Sequence, residues 1–427
     1  MSNAVPQGWS ELSLKEVSTV ITKGTTPTTY GAGYAQSGVK FIRVENISKS
    51  GFIDESELRF ISKETHETLK RSQLQSGDLL VSIAGAIGRS AIVSDKNLPA
   101  NTNQAVGIVR LIKEEIIADF ARYSIESPVV AQQMSDSQAG NAQVNLNLEQ
   151  LGGLRFYRPP LPEQQKIATI LSSVDDVIEK TRAQIDKLKD LKTGMMQELL
   201  TKGIGHTEFK DSPVGQIPAE WSVVKLKDIA DVKGGKRMPK GRPFAGHVTP
   251  YPYIRVTDFR DGTVRTDNLQ YVLPEDQKTI KRYIVGKDDL YISIAGTLGL
   301  IGSIPDELDG AQLTENAAKI VFHDQSKISP VFYKHILLSA VAQDQLSLEK
   351  GIGGGVPKLA LFRIEAITLP LPTFEEQNAI SKILDAIDVR IQLVVNKIKA
   401  VQLTKKALMQ DLLTGKVRVK PNESAAL

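Results

Sequence analysis

The chain has 427 residues, 41% of them hydrophobic and 24% charged, which supports packed cores and excludes disorder over most of the length. It has no cysteine, which removes disulfides, thiolate metal ligands and a thiol nucleophile, and fits a reducing cytoplasm. Lys and Arg outnumber Asp and Glu by only 53 to 49, a net charge of +4, so affinity for nucleic acid would have to come from local clusters of charge.

Met1 to Gln7 lack the charged and apolar regions of a signal peptide, and no run reaches the ~18 apolar residues of a membrane span, so no membrane is expected as a partner. Taken in chain order, Lys40 to Val44 reads as a strand, as does Asp78 to Ile83, and the glycines of Ala84-Gly85-Ala86-Ile87-Gly88 mark a turn. Ile116 to Met134 reads as a helix. From Glu163 the apolar positions Ile167, Ile170, Leu171, Val174, Ile178, Ile185, Leu188, Met195 and Leu199 step by threes and fours, the seam of a coiled coil. Pro159, Pro160 and Pro162 stand at its start and Gly203 at its end, where a left-handed stop costs little. The same order then returns: Tyr283 to Ile294, Lys319 to Phe322, a helical stretch from Pro330 to Leu348, and a second seam, Ile380, Leu384, Ile387, Ile391, Val394, Ile398, Val401, Leu408 and Leu412, between Pro370 and Pro372 and Gly415.

The return is a duplication. Trp9 and Trp221, the only tryptophans, lie 212 residues apart, as do Ile42-Arg43-Val44 and Ile254-Arg255-Val256. Ser82-Ile83-Ala84-Gly85 and Ser293-Ile294-Ala295-Gly296 are 211 apart, and Met196 to Thr201 and Met409 to Thr414 are 213 apart. Leu161-Pro162 before Glu163-Gln164 is matched by Leu371-Pro372 before Glu376-Gln377, with Thr373-Phe374-Glu375 read as an insertion. Such a period is too long for a solenoid and means two modules in tandem. The expected fold is α+β: β-rich domains at 1–160 and 204–370, long helices at 161–203 and 371–416, and a tail at 417–427. Each helix spans roughly 60 Å at ~1.5 Å per residue. Pairing the helices antiparallel gives two similar domains at opposite ends of a coiled-coil spacer, related by a pseudo-twofold axis; the alternative is that each seam pairs with another chain.

No catalytic constellation stands out, so the chain reads as no enzyme, with no cofactor and no metal. The five histidines, His66, His206, His247, His323 and His335, form no spaced ligand pair, and there is no phosphate-loop or nucleophile-elbow motif. Gly31-Ala32-Gly33 lacks the strand-to-helix context of a dinucleotide loop. Asp231-Val232-Lys233 is half of a nuclease motif at most and is missing from the sister module. The binding chemistry lies in polar loops. Lys233 to Pro243 carries Lys233, Lys236, Arg237, Lys240 and Arg242 with no acid, and its glycines admit a backbone close to phosphates. Its sister, from Lys23 to Tyr30, offers Lys23, Thr25, Thr26, Thr28 and Tyr30, hydroxyl chemistry that suits phosphates or base edges. Arg43 and Arg255 occupy equivalent places and either hold a carboxylate or contact phosphate. Asn103 and Gln104 match the neighbourhood of Asn316, and the small polar loops Ala139 to Gln143 and Gly351 to Lys358 correspond; Lys358 closes the second. For each loop the competing reading is a solvated surface.

With the Gly24-Thr25-Thr26-Pro27 loop, the paired Ile-Arg-Val strands, Gly77-Asp78-Leu79-Leu80 with its Ser-Ile-Ala-Gly turn, and the doubled Leu-Pro and Glu-Gln opening of the long helices, the chain from Trp9 through Thr414 resembles the specificity subunit of type I restriction–modification systems. The resemblance implies two target recognition domains that each read half of a bipartite double-stranded DNA site. It implies helices that space the domains and dock two modification (methyltransferase) subunits, with restriction subunits joining the same assembly. Methylation and ATP-driven translocation would then belong to the partners, since this chain has no Asn-Pro-Pro-Tyr motif and no ATP loop. The rival expectation is a non-catalytic protein-interaction scaffold with two binding heads.

Overall fold

The computed structural model describes residues 5–137, 145–348 and 358–420; the loop Ala139 to Gln143 and residues 351–357 of its counterpart lie outside the described residues. Two units emerge, one of Met1–Gln184 with Val394–Leu427, the other of Ile185–Leu393, so the dividing line falls inside each long helix.

In the first unit the central sheet has the order Ser18–Lys23, Val106–Leu111, Leu79–Ser82, Ser90–Ile92, antiparallel throughout. Leu79–Ser82 is buried on both faces, as its continuous apolar sequence requires. Arg59–Ile61, Val39–Ile42 and Ala100–Thr102 form a smaller sheet in which Val39–Ile42 runs parallel to Ala100–Thr102. One core joins Leu79, Val81, Val109, Phe120 and Tyr123 with Ile167 and Leu171 of the first long helix and Met409, Leu412 and Leu413 of the second.

The second unit repeats this plan: Ala230–Gly234, Ala317–Phe322, Leu290–Ser293 and Ile301–Ser303 in one sheet, with Gln270–Tyr271, Pro252–Ile254, Ala311–Leu313 and Ile284–Val285 in the other, the last strand extending what is in the first unit the single bridge of Gln73 to Asn101. Its core joins Trp221, Ile292, Ile320, Phe332 and Tyr333 with Leu200, Ile380 and Leu384 of the long helices.

The long helices run Leu161–Lys202 and Phe374–Leu413, 42 and 40 residues. Gly203 and Gly415 follow at φ +66° and +69°, the left-handed stops expected of glycine there. In the first unit Asp175 of the first helix bonds Lys405 of the second at 2.6 Å, and Glu163 bonds Arg418 beyond the second helix at 2.8 Å. In the second unit Lys192 bonds Asp388 at 2.6 Å and Glu376 bonds Ile204 N beyond the first helix at 2.9 Å. Within each unit, therefore, the two helices run in opposite directions. Lys192 and Lys405, and Asp388 and Asp175, are each 213 residues apart, so one ion pair has been made twice with the helices' roles exchanged.

Several boundaries differ from those expected. The strand through Phe41 ends at Ile42, and Arg43 opens a 3-10 turn. The helix expected from Ile116 to Met134 is two, Ala118–Ile125 and Pro128–Asp136, because Pro128 cannot donate to the preceding turn and Ser127 caps a new start. Pro330–Leu338 and Ala340–Leu348 are likewise separate, broken at Ser339 in extended conformation. Pro162 lies inside the first helix's opening turn, where its missing N–H leaves nothing unpaired. The supposed insertion at Thr373 also dissolves. Gln164 Nε2 donates to Pro159 O at 2.9 Å and Gln377 Nε2 to Pro372 O at 3.0 Å, so Pro372 corresponds to Pro159 and both helices open over the same number of residues.

Candidate nucleic-acid interface

The site is built around one backbone crossing, present in both units. In the first, Gly24 passes over the turn that follows Ala100–Thr102. Gly24 N donates to Val106 O at 3.1 Å and Thr25 N to Thr102 O at 2.9 Å. A Cβ on Gly24 would overlap the carbonyl oxygens of Thr102 and Asn103. In the second unit Gly235 N donates to Ala317 O at 2.9 Å and Lys236 N to Leu313 O at 2.8 Å, and a Cβ on Gly235 would overlap the carbonyls of Leu313 and Thr314. Only glycine permits this approach, and it pins the segment beyond it, where the candidate residues lie.

Two residues past each glycine a side chain ties the loop to the turn it crosses. In the first unit the Thr26 hydroxyl bonds Gln104 Oε1. In the second Arg237 Nε donates to Glu315 Oε1 at 2.5 Å, which raises the guanidinium pKa; burial pushes the Glu315 carboxyl up, but the bond from Arg237 and its other donors leave it below its ordinary value. Arg237 and Thr26, like Glu315 and Gln104, are 211 residues apart. One geometry thus carries a neutral pair in one copy and an ion pair in the other. Sequence reasoning missed Glu315, because the partners match in position and not in type.

Around this crossing Lys23 is exposed at the end of its strand, and Thr28 and Tyr30 are exposed on the 3-10 turn Pro27–Tyr30, with Tyr30 at 63%. Thr25 Oγ1 accepts from Arg71 Nη2 at 3.3 Å. Gln104 is exposed, while Asn103 Oδ1 is buried and without a hydrogen-bond partner among the described residues. In the second unit Lys233 bonds Asp231 at 2.8 Å, Arg242 bonds Asp276 at 2.6 Å and Glu275 at 3.1 Å, and Lys236 Nζ lies 5.6 Å from the centre of the Tyr283 ring. Lys240 is exposed and joins no ion pair among the described residues. Asn316 is half-buried and its carbonyl accepts from Ile294 N at 2.8 Å. Lys358 is exposed, paired through its backbone with Ala295.

The two equivalent arginines separate. Arg255 grips buried Asp258 through Nε at 3.1 Å and Nη2 at 2.8 Å, and also reaches Asn268 O at 2.9 Å, a fork that locks its own turn. In the first unit the place of Asp258 is taken by Asn46, whose Oδ1 accepts from Arg43 N at 3.0 Å. Arg43 is left with exposed Glu45 at 3.8 Å and a buried Nε without a partner among the described residues.

Asp231, the half-motif of a nuclease, is held by Lys233 and by His323 at 3.1 Å. Among the described residues the one grouping of metal-competent side chains is His335, Asp385 and Asp388, whose carboxylates already bond Lys334 at 3.2 Å and Lys192 at 2.6 Å.

Doubled sheets, doubled glycine crossings and doubled helix openings describe a tandem recognition fold, and comparison with known proteins agrees. The type I restriction modification DNA specificity domain matches twice, over residues 6–190 and 218–403. The chain belongs to that family, and a scaffold without nucleic acid is not favoured. It is 29% identical, over 97% of its length and 95% of theirs, to a putative type I restriction enzyme MjaX specificity subunit of Methanocaldococcus jannaschii. It is 32% identical to the MjaVIII specificity subunit of the same organism over 61% of this chain and 62% of that one. Among solved structures, the type I restriction-modification S subunit from M. genitalium superimposes with a TM-score of 0.56 at 16% identity, covering 97% of this chain and 98% of that one, a likeness of fold. No helix among the described residues is long and apolar enough to cross a membrane.

Proposed function

We propose that this chain is the non-catalytic sequence reader of a type I restriction–modification complex. Reading domains at 1–160 and 204–370 each recognise half of a bipartite duplex target. The helices Leu161–Lys202 and Phe374–Leu413 form an antiparallel coiled-coil spacer under pseudo-twofold symmetry. The spacer docks two methyltransferase subunits, and restriction subunits join them. The complex works where the DNA is, in the cytoplasm.

One observation carries this reading: the glycine crossings at Gly24 and Gly235 are the same, while the side chains they present differ, hydroxyls from Thr25 to Tyr30 in one copy and cations from Lys236 to Arg242 in the other. Equal frames with unequal contacts suit two half-sites of unequal sequence. The DNA-facing set is Lys23, Thr25, Thr26, Thr28, Tyr30, Arg43, Asn103 and Gln104 in one unit, and Lys233, Lys236, Arg237, Lys240, Arg242, Asn316 and Lys358 in the other, while Arg255, committed to Asp258, drops out of it.

Methylome sequencing of cells with and without the chain should reveal a split, asymmetric motif that depends on it. Filter binding with random duplex should then be salt-dependent, and neutralising Lys236, Arg237 and Lys240 together should lower the salt slope by about one unit per lost phosphate contact. A chain that binds no duplex at low salt overturns the reading; an unaltered slope assigns the basic loop to solvent.

A further inference from the structure

Beside each glycine crossing stands a basic residue that neither the loop pattern nor the family resemblance singles out. Lys70-Arg71 lies on the 3-10 turn Lys70–Ser72, and Lys281-Arg282 on the 3-10 turn Lys281–Tyr283. Arg71 and Arg282 are 211 residues apart, the same interval as Gly24 and Gly235. The candidate loops between these anchors have diverged, yet this arginine is in both copies.

Its environment explains nothing structural that the copies share. Both arginines are exposed, and neither joins an ion pair among the described residues. Arg71 reaches a hydroxyl, Thr25 Oγ1, at 3.3 Å. The counterpart of Thr25 is Lys236, which cannot accept that bond. Arg282 instead lines an open cavity of about 320 Å³ with Lys233, Gly234, Gly235, Tyr283, Leu313 and Lys319, three cations and no carboxylate. The two lysines there are engaged at their rims, Lys233 with Asp231 at 2.8 Å and Lys319 with Asp289 at 3.3 Å. Other arginines near the crossings hold a carboxylate: Arg237, Arg242 and Arg255 at 3.1 Å or less, Arg43 at 3.8 Å. A guanidinium without an internal carboxylate gives up no charged partner when it takes an oxyanion.

We infer that Arg71 and Arg282 are a matched pair of phosphodiester anchors, one for each half of the duplex, that fix the reading loops on the DNA backbone without reading bases. This rests on the DNA-reading function proposed above. Bases differ between two half-sites and backbone phosphates do not, so a contact to the backbone is what duplication leaves unchanged while base contacts diverge.

The test uses the full chain, with salt titrations on a random duplex and on a duplex carrying the motif found by methylome sequencing. Arg71→Ala and Arg282→Ala should each lower the salt slope by about one unit, and the double variant by about two. Affinity for the two duplexes should fall by the same factor, and the methylated motif should stay the same. Arg71→Gln and Arg282→Gln, which remove the charge but keep a polar side chain, should lower the slope as alanine does; they decide the matter if an alanine variant folds poorly. An unchanged slope in the alanine variants, with wild-type binding intact, overturns the inference and leaves the reading function standing. A loss confined to the motif duplex, or a changed motif, overturns it by making the arginine a base reader. A wild-type chain that binds neither duplex fails the reading function itself.

Discussion

Glu163 and Glu376 each gather several donors at the opening of a long helix. Trp9 Nε1 donates to Glu163 at 2.9 Å while Arg418 forks onto both its oxygens at 2.8 Å. Trp221 Nε1 donates to Glu376 at 2.8 Å, and His206 Nε2 and Ile204 N meet its other oxygen at 2.9 Å. Each tryptophan thus does more than fill a core. Trp9→Phe or Trp221→Phe keeps most of the ring and removes the donor, and urea unfolding should record a loss of about 1–3 kcal/mol for each. A smaller loss would mean the remaining donors satisfy the carboxylate alone. His335 gives a second residue-scale prediction. It is fully buried, with Nε2 at 2.9 Å from Asp385, and burial holds its pKa below the ordinary 6.5 even though Asp385 pulls upward. The unfolded chain therefore takes up the proton first. The stability contributed is present above about pH 6.5 and is lost as pH falls through the folded value. Thermal melts of wild type should fall across that window, and His335→Gln should flatten the fall; equal slopes would mean His335 does not set it.

At the scale of elements, legibility followed backbone chemistry. Gly203 and Gly415 are readable as helix stops because no other residue is comfortable there, and the Ser-Ile-Ala-Gly turns because their glycines, Gly85 and Gly296, sit at φ +76° and +78°. The breaks at Ser127 and Ser339 were less legible, since apolar periodicity runs on across them. The Leu-Pro repeat misled outright. Identical dipeptides fell out of structural register, and the true match of Pro159 to Pro372 rests on what Gln164 and Gln377 bond. The binding crossing was half legible: its glycines show in the sequence, but Thr26–Gln104 and Arg237–Glu315 share geometry without sharing residues. The long helices carry their own prediction. Removing one heptad from each shortens them by about 10 Å, or about three base pairs. Methylome sequencing should find the unread gap shortened by about that number, and an unchanged gap would count against the spacer.

For the whole molecule, the duplication was legible from five ordered matches, and so was the α+β content. What the copies contact was not, because the loops that would decide it are where the copies differ. If each unit reads alone, exchanging residues 1–160 for the corresponding domain of another family member should alter one half of the methylated motif and leave the other intact. A change in both halves would mean that the units read jointly.

The joint at Gly203 has one further consequence. Gly203 lies against Trp221, where a Cβ would stand 2.8 Å from the indole, and 17 residues of chain connect the two. Gly415 lies against Trp9 in the same manner, at 3.2 Å, and Arg418 Nη1 reaches Gln7 O at 2.9 Å, yet no peptide bond closes that second joint. The same knot is tied once through the chain and once through space. A circular permutant, with a short linker from the tail to Pro6 and a new opening in the exposed stretch near Gly205, should fold with both knots in place, and circular dichroism and methylome sequencing should report an unaltered fold and motif.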